Sequence, residues 1–174
     1  MIRLSALAPV ALALAALTTS ACAKSLPDDL ATVDAAKALV AAVQDKLGTK
    51  DVTFQRFDLD HDKASIRVVD PKDPKKILDF EVEKGELHGP SPVTRAGDTT
   101  SDVIGARAAD FDLAGLAKAE AACKAKLGQP TQKLSLWDGV DIAHHERGPL
   151  MWIVRVKDDK FCRASLAGVL DFPL

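Results

Sequence analysis

The sequence predicts an α+β protein in which a helix packed on an antiparallel meander of three to four strands occurs twice in tandem, an (αβββ)2-like arrangement. Three observations predict it. Two stretches carry apolar residues at helical spacing, and both close on the same tripeptide, Lys46-Leu47-Gly48 and Lys126-Leu127-Gly128. Each stretch is followed by short runs rich in β-branched and aromatic residues, separated by turn formers. The two halves also align with each other at an offset of 80 residues, where Phe54 matches Leu134 and Phe57-Asp58 matches Trp137-Asp138. The 174 residues are 47% hydrophobic with a net charge of −2, a composition that excludes a disordered tail and a basic nucleic-acid binder.

Residues 1–22 read MIRLSALAPVALALAALTTSAC. One Arg, an apolar Ala/Leu run over residues 4–17 and small polar residues ending in Ala-Cys have the organisation of an export signal. The run is shorter than the roughly 20 residues of a spanning helix, so residues 1–21 are read as a cleaved signal peptide. Two cleavage chemistries compete. Thr19-Ser20-Ala21-Cys22 resembles a bacterial lipobox, which makes Cys22 the lipidated start of a tether over residues 22–29. Ala21-Cys22-Ala23 also fits ordinary signal peptidase, and cleavage at Ala23 leaves a soluble periplasmic or secreted chain. A cysteine closing the apolar run favours lipidation. Because Ala23 is not Asp, the resemblance to bacterial lipoproteins implies sorting to the outer membrane, with the protein facing the periplasm. Export places Cys123 and Cys162 in an oxidising compartment, where a disulfide is the default and a pair of buried free thiols the alternative.

The first unit covers residues 30–87. Leu30, Val33, Ala36, Val40, Val43 and Leu47 form one face of a helix that stops at Gly48. Strands follow over residues 51–59 and 64–69, around Asp60-His61-Asp62-Lys63, and then over 77–87 with a Lys84-Gly85 turn inside. The segment 70–76, DPKDPKK, holds two prolines and cannot continue a central strand. Residues 88–110, rich in Gly, Pro, Ser and Thr, read as a linker with a short helical turn near residues 103–108. The second unit covers residues 111–174. Asp112 is its expected N-cap, and Leu113, Leu116, Glu120, Cys123 and Leu127 recur at helical spacing. Further on the offset falls to 74, where residues 80–87 (FEVEKGEL) match residues 154–161 (VRVKDDKF) in type and spacing.

The alignment places Cys123 where the first unit has Val43, on the stripe facing the sheet. A two-residue turn at Asp158-Asp159 would instead pair Val156 with Phe161 and leave Cys162 beside Arg155 on the other face. A Cys123–Cys162 bond then requires a longer turn, a bulge or a place at the sheet edge.

No catalytic set is complete, and no cofactor or metal is expected. Asp58-Leu59-Asp60-His61-Asp62 has the alternating carboxylates of a calcium loop, but Lys63 stands in place of its Gly and Val69 in place of its Glu, so a hairpin turn is the plainer reading. His144-His145-Glu146 could serve a metal-dependent hydrolase, yet neighbouring strand residues point to opposite faces and Pro149 stands where a second helical His belongs. Cys123 or Cys162 as a nucleophile would need a nearby base, and export favours their oxidation over activation; Ser91 in Gly89-Pro90-Ser91-Pro92-Val93 lies in the linker and lacks the closing Gly of a nucleophile elbow. The distinctive residues are those of contact surfaces: Trp137, Trp152, Phe161 and Arg155, with Met151 and Ile153 alternating against Trp152. Residues 150–156, LMWIVRV, are apolar on both faces, either as an interior strand shielded on both sides or as a partner-binding face.

Two helix-plus-meander units after a lipobox, with Lys-Leu-Gly closing each helix, resemble the PepSY-like and β-lactamase-inhibitor-like superfamily. Leu127-Gly128-Gln129-Pro130 is similar to a step in the SmpA/OmlA-type lipoproteins of outer-membrane barrel assembly. The resemblance implies a non-catalytic module that binds another envelope or secreted protein through its open sheet face or loop ends, as an inhibitor, immunity protein or envelope-assembly accessory. Membrane contact is then through the anchor alone, no nucleic acid is bound, and the chain is a monomer or weak dimer. The alternative is a binder of small ligands or peptidoglycan fragments, with a concave pocket between the two sheets.

Overall fold

The computed structural model describes residues 26–93, 105–108, 113–137, 150–158 and 160–171. The leader, Cys22, Asp112 and His144-His145-Glu146 lie outside the described residues. Helix α1 (Val33–Leu47) is followed by strands β1 (Thr53–Asp60), β2 (Ala64–Asp70), β3 (Asp73–Glu83), β4 (Glu86–Pro92) and β5 (Ala106–Arg107). Helix α2 (Leu113–Leu127) then precedes β6 (Thr131–Trp137), β7 (Met151–Val156), β8 (Phe161–Ser165) and β9 (Leu170–Asp171). The fold is α+β. Five described strands follow α1 and four follow α2, more in total than two meanders of three to four, and they form one sheet in the order β4-β3-β2-β1-β6-β7-β8-β9, with β5 beside β1. The join is the antiparallel pair β1·β6, where Phe57 faces Leu136 and Leu59 faces Leu134.

Helix α1 starts where its free N–H groups find acceptors. The Thr32 hydroxyl accepts from the Ala35 N–H at 3.2 Å and the Asp29 carboxylate from Ala31 at 2.9 Å, and Gly48, at φ 69°, ends the helix. Its buried side chains are Val33, Ala35, Ala36, Leu39, Val40 and Val43. On α2 the buried stripe is Gly115, Leu116, Ala119 and Cys123. Glu120 sits beside that stripe, and its carboxylate accepts from the Thr131 hydroxyl at 2.9 Å and pairs with Lys124 at 2.8 Å. The buried face of the sheet carries Phe57, Leu59, Ile66, Phe80, Leu134, Trp152 and Val154, which join both helices in one core. A register shift between Phe54 and Arg56 lets Phe54 and Phe57 both point inward despite their odd spacing, and their rings meet edge to face at 5.9 Å.

Several sequence expectations need correction. The segment expected to open the linker is β4, which runs through Pro90 and Pro92 and pairs with β3. Proline is tolerated there because, among the described strands, β4 pairs on one side. Residues 106–107 are a strand rather than a helical turn, pairing with Phe54 and Thr53. Pro74 lies within β3, just after a register shift at the Val69/Asp70 end of β2. The hairpins matched at offset 74 occupy different places, β3–β4 in one half and β7–β8 in the other.

Two contacts tie the helices to the strand ends. A Cβ on Gly115 would stand 2.0 Å from the Leu166 carbonyl oxygen, and one on Gly168 would stand 2.2 Å from that of Gly115. The backbone of α2 therefore rests directly on the β8–β9 turn. Gly115→Ala is expected to cost about 1–3 kcal/mol by overpacking, seen as a fall in Tm of about 3–10 °C. At the other end of the sheet, Leu30 N–H donates to the His61 carbonyl at 3.0 Å, and His61 Nδ1 lies 2.9 Å from Asp29 Oδ1. Burial raises the Asp29 pKa, but the His61 hydrogen bond, the Ala31 N–H and the charges of His61 and Lys124 outweigh it and hold the carboxyl below its ordinary 3.8. A lowered carboxyl pKa gives stability that is complete above the unfolded value and is lost as pH falls through the folded one. Both side chains are more than half exposed, so the effect is small. Thermal melts from about pH 5 down to about pH 2 should show a shallower acid decline for Asp29→Asn than for the parent protein.

Candidate functional site

Both helices lie on one face of the sheet. Strand alternation sends the remaining side chains to the other face, and there the character changes from one half to the other. Over β1–β3 that face is charged and mostly paired with itself. Arg67 donates to both oxygens of Asp79, at 2.8 and 3.1 Å, across the β2–β3 ladder. Arg56 donates to Asp58, and Lys133 on β6 sits 3.8 Å from both Asp58 and Asp60. A shallow concavity of about 520 Å³ lies here, lined by Arg56, Asp58, Asp60, Lys63, Glu81, Glu83 and Lys133 among others. Over β7–β8 the face is apolar and cationic. Met151 and Ile153 are half-buried, Phe161 is 39% exposed, and Arg155 and Arg163 stand among them.

No family model, curated protein or solved structure matches this chain.

Of the four expected contact residues, two are brought together. Arg155 and Phe161 stand opposite each other in the β7–β8 ladder, on the face away from the helices. Trp137 stands opposite Met151 in the β6–β7 ladder. Trp152 does not belong with them. It is 0% exposed, opposite Leu136 and Ala164, and lies in the core under the helices. Among the described residues the run LMWIVRV is thus shielded on one side: Trp152, Val154 and Val156 point into the core, and Met151, Ile153 and Arg155 point away. Residue type suggested a contact role for Trp152; strand parity excludes it.

Asp58-Leu59-Asp60-His61-Asp62 forms the end of β1 and a tight turn closed by the Asp60 N–H on the Lys63 carbonyl at 2.9 Å. The carboxylates of Asp58 and Asp60 serve Arg56 and Lys133. Among the described residues no three His, Cys, Asp or Glu side chains are grouped to hold a metal ion. Ser91 lies on β4, opposite Asp79. No described helix is long and apolar enough to cross a membrane. Sequence reasoning passed over Arg163, Lys133, Glu81 and the Arg67–Asp79 pair. The signal for them was present, since each occupies the outward parity of a strand whose neighbouring inward residues are apolar.

Cys123 and Cys162 are bonded, with Cα atoms 5.9 Å apart, and the bond fixes α2 to β8. The register objection is resolved by a longer turn. Val156 N–H donates to the Lys160 carbonyl at 2.8 Å, enclosing three residues with Asp158 at φ 63°. Phe161 therefore faces Arg155 and Cys162 faces Val154, on the helix side. The bond closes a sequence separation of 39, for which chain entropy gives about 4 kcal/mol. Cys123→Ala/Cys162→Ala is expected to lower Tm by about 8–16 °C. The same variant should abolish the difference in Tm that a reductant causes in the parent protein.

Proposed function

We propose that this chain is a lipid-anchored protein of the bacterial outer membrane, facing the periplasm, whose uncovered sheet face binds another envelope or secreted protein without catalysis. Its role is that of an inhibitor, immunity protein or envelope-assembly accessory. The observation that carries this reading is that, among the described residues, the sheet is covered on one side. Two helices bury one face, and the other leaves Met151, Ile153 and the exposed Phe161 beside Arg155 and Arg163. Aromatic residues, Met and Arg are enriched where proteins meet, and such side chains on a rigid ladder bind with little loss of conformational entropy.

The anchor rests on the lipobox-like Thr19-Ser20-Ala21-Cys22. Leu30 is the first core residue after it, and eight residues from Cys22 reach at most roughly 29 Å when fully extended. Such a tether keeps the sheet end that carries His61 close to the bilayer. The reading includes an internal duplication of PepSY-like type. Its support is that both helices have 15 residues and close on Lys-Leu-Gly, and that in each half the strands are laid outward from the β1·β6 pair. The small-ligand alternative has less support, because Arg56 and Lys133 already neutralise Asp58 and Asp60 in the concavity.

Affinity recovery from detergent-solubilised envelopes, combined with metabolic labelling by a palmitate analogue, tests both parts. The tagged full-length chain should take up label and Cys22→Ala should not. A co-recovered protein should be lost with Ile153→Glu/Phe161→Glu while the variant melts as the parent does. Recovery of the same proteins by that variant removes the open face from the proposal, and an unlabelled parent chain removes the anchor.

A further inference from the structure

One row of the ladder crosses the sheet with opposite charges at mirrored places. Glu81 lies on β3, the third strand out from the β1·β6 boundary, and Arg163 lies on β8, the third strand out on the other side. They occupy the same row, linked pair by pair through Ser65, Asp58, Ser135 and Ile153. Neither Glu81 nor Arg163 has an ion-pair partner among the described residues, whereas the charges between them are matched within the chain.

We propose that the uncovered face is self-complementary and that two copies of this chain stack face to face about a two-fold axis parallel to the strands, above the β1·β6 boundary. Such an axis lays β3 of one copy over β8 of the other. It brings each Glu81 to the Arg163 across, so that the contact is made twice. In the neighbouring row it brings Asp60 over Lys133, which are adjacent strand positions at the boundary itself, and one strand further out it brings the exposed Lys63 of the β1–β2 turn over Arg155, a like-charge contact from which the Lys63 side chain must turn away. The half-buried Ile153 meets Ser65 rather than a charge.

Aligned sheets pack about 10 Å apart, a gap that facing Arg and Glu side chains can span. Eight strands at about 4.8 Å spacing and about six residues long give a face of roughly 34 by 20 Å. Two such faces bury roughly 1,300 Å², within the range of specific interfaces at about 1,200–2,000 Å². The proposal uses the face assigned above to a protein partner but does not depend on that assignment. A dimer can form where no partner is found, and a partner can bind a monomer; because the face is one surface, binding a partner there separates the copies.

Sedimentation equilibrium of the purified protein at low and high salt tests it, with Glu81→Arg, Arg163→Glu and the combined charge swap alongside. The parent protein is expected to dimerise, more weakly at high salt. Each single reversal should weaken the dimer about tenfold or more, because like charges then meet twice. The swap should recover most of that loss, since it restores opposite charges at both contacts. Unchanged thermal melts in all four proteins show that the fold is intact. A parent chain that stays monomeric at every concentration overturns the proposal, as does a dimer indifferent to both reversals. A dimer that the swap fails to restore overturns the two-fold arrangement.

Discussion

The pairing of β1 with β6 is the constraint on which the rest of this structure depends. Without it the chain would hold two small helix-on-sheet layers, each with a two-sided edge to protect. With it, Phe57 and Leu59 of one half stand against Leu136 and Leu134 of the other, and a single core runs beneath both helices. The pair also fixes parity for the whole sheet. Once Leu134 and Leu136 point inward, their ladder partners Val154 and Trp152 must do the same, followed by Cys162 and Ala164. The position of the cysteine, the burial of the tryptophan and the composition of the open face all follow from one register.

That dependence explains which parts of the molecule were legible in the sequence. Local patterns were. The apolar spacing from Leu30 to Leu47 and the Lys-Leu-Gly ends located both helices, and the Lys84-Gly85 turn appears with positive φ at both residues, as a tight hairpin requires. The α1 boundary was misplaced by a few residues because Leu30 is buried ahead of the Thr32 cap, so periodicity extends past the helix proper. Non-local consequences were harder to read. A segment such as HGPSP resembles a linker when proline is taken as a strand breaker, and it becomes a strand only because it has a single neighbour. Two-residue β5 has no pattern to detect.

The candidate site illustrates the same division. Phe161 and Arg155 could be placed together only by knowing that the β7–β8 turn encloses three residues, 157–159, so that Val156 pairs with Lys160. One residue in that turn decides whether Cys162 meets α2 or faces away from it. Likewise, Trp152 and Met151 are neighbours with the same apparent credentials as contact residues, and their roles are opposite because a strand alternates. Residue type told where an interface could be built, and parity told which half of the run remained available to build it.

The edges of the sheet argue that association, where it occurs, uses the face. At one end β4 carries Pro90 and Pro92, which cannot donate to a further strand, and at the other β9, among the described residues, is the two-residue strand Leu170–Asp171. Both are devices that discourage pairing of strand to strand. The face is treated differently. Most of its charges are paired among β1, β2, β3 and β6, but Glu81 on β3 and Arg163 on β8 are held apart, at a cost in attraction that adjacency would recover. A surface needing only solubility gains nothing from such separation, since alternating charges solubilise as well. Separation gains something when an object of the opposite polarity is laid across it, and in this sheet the nearest such object is the same face turned about the β1·β6 boundary.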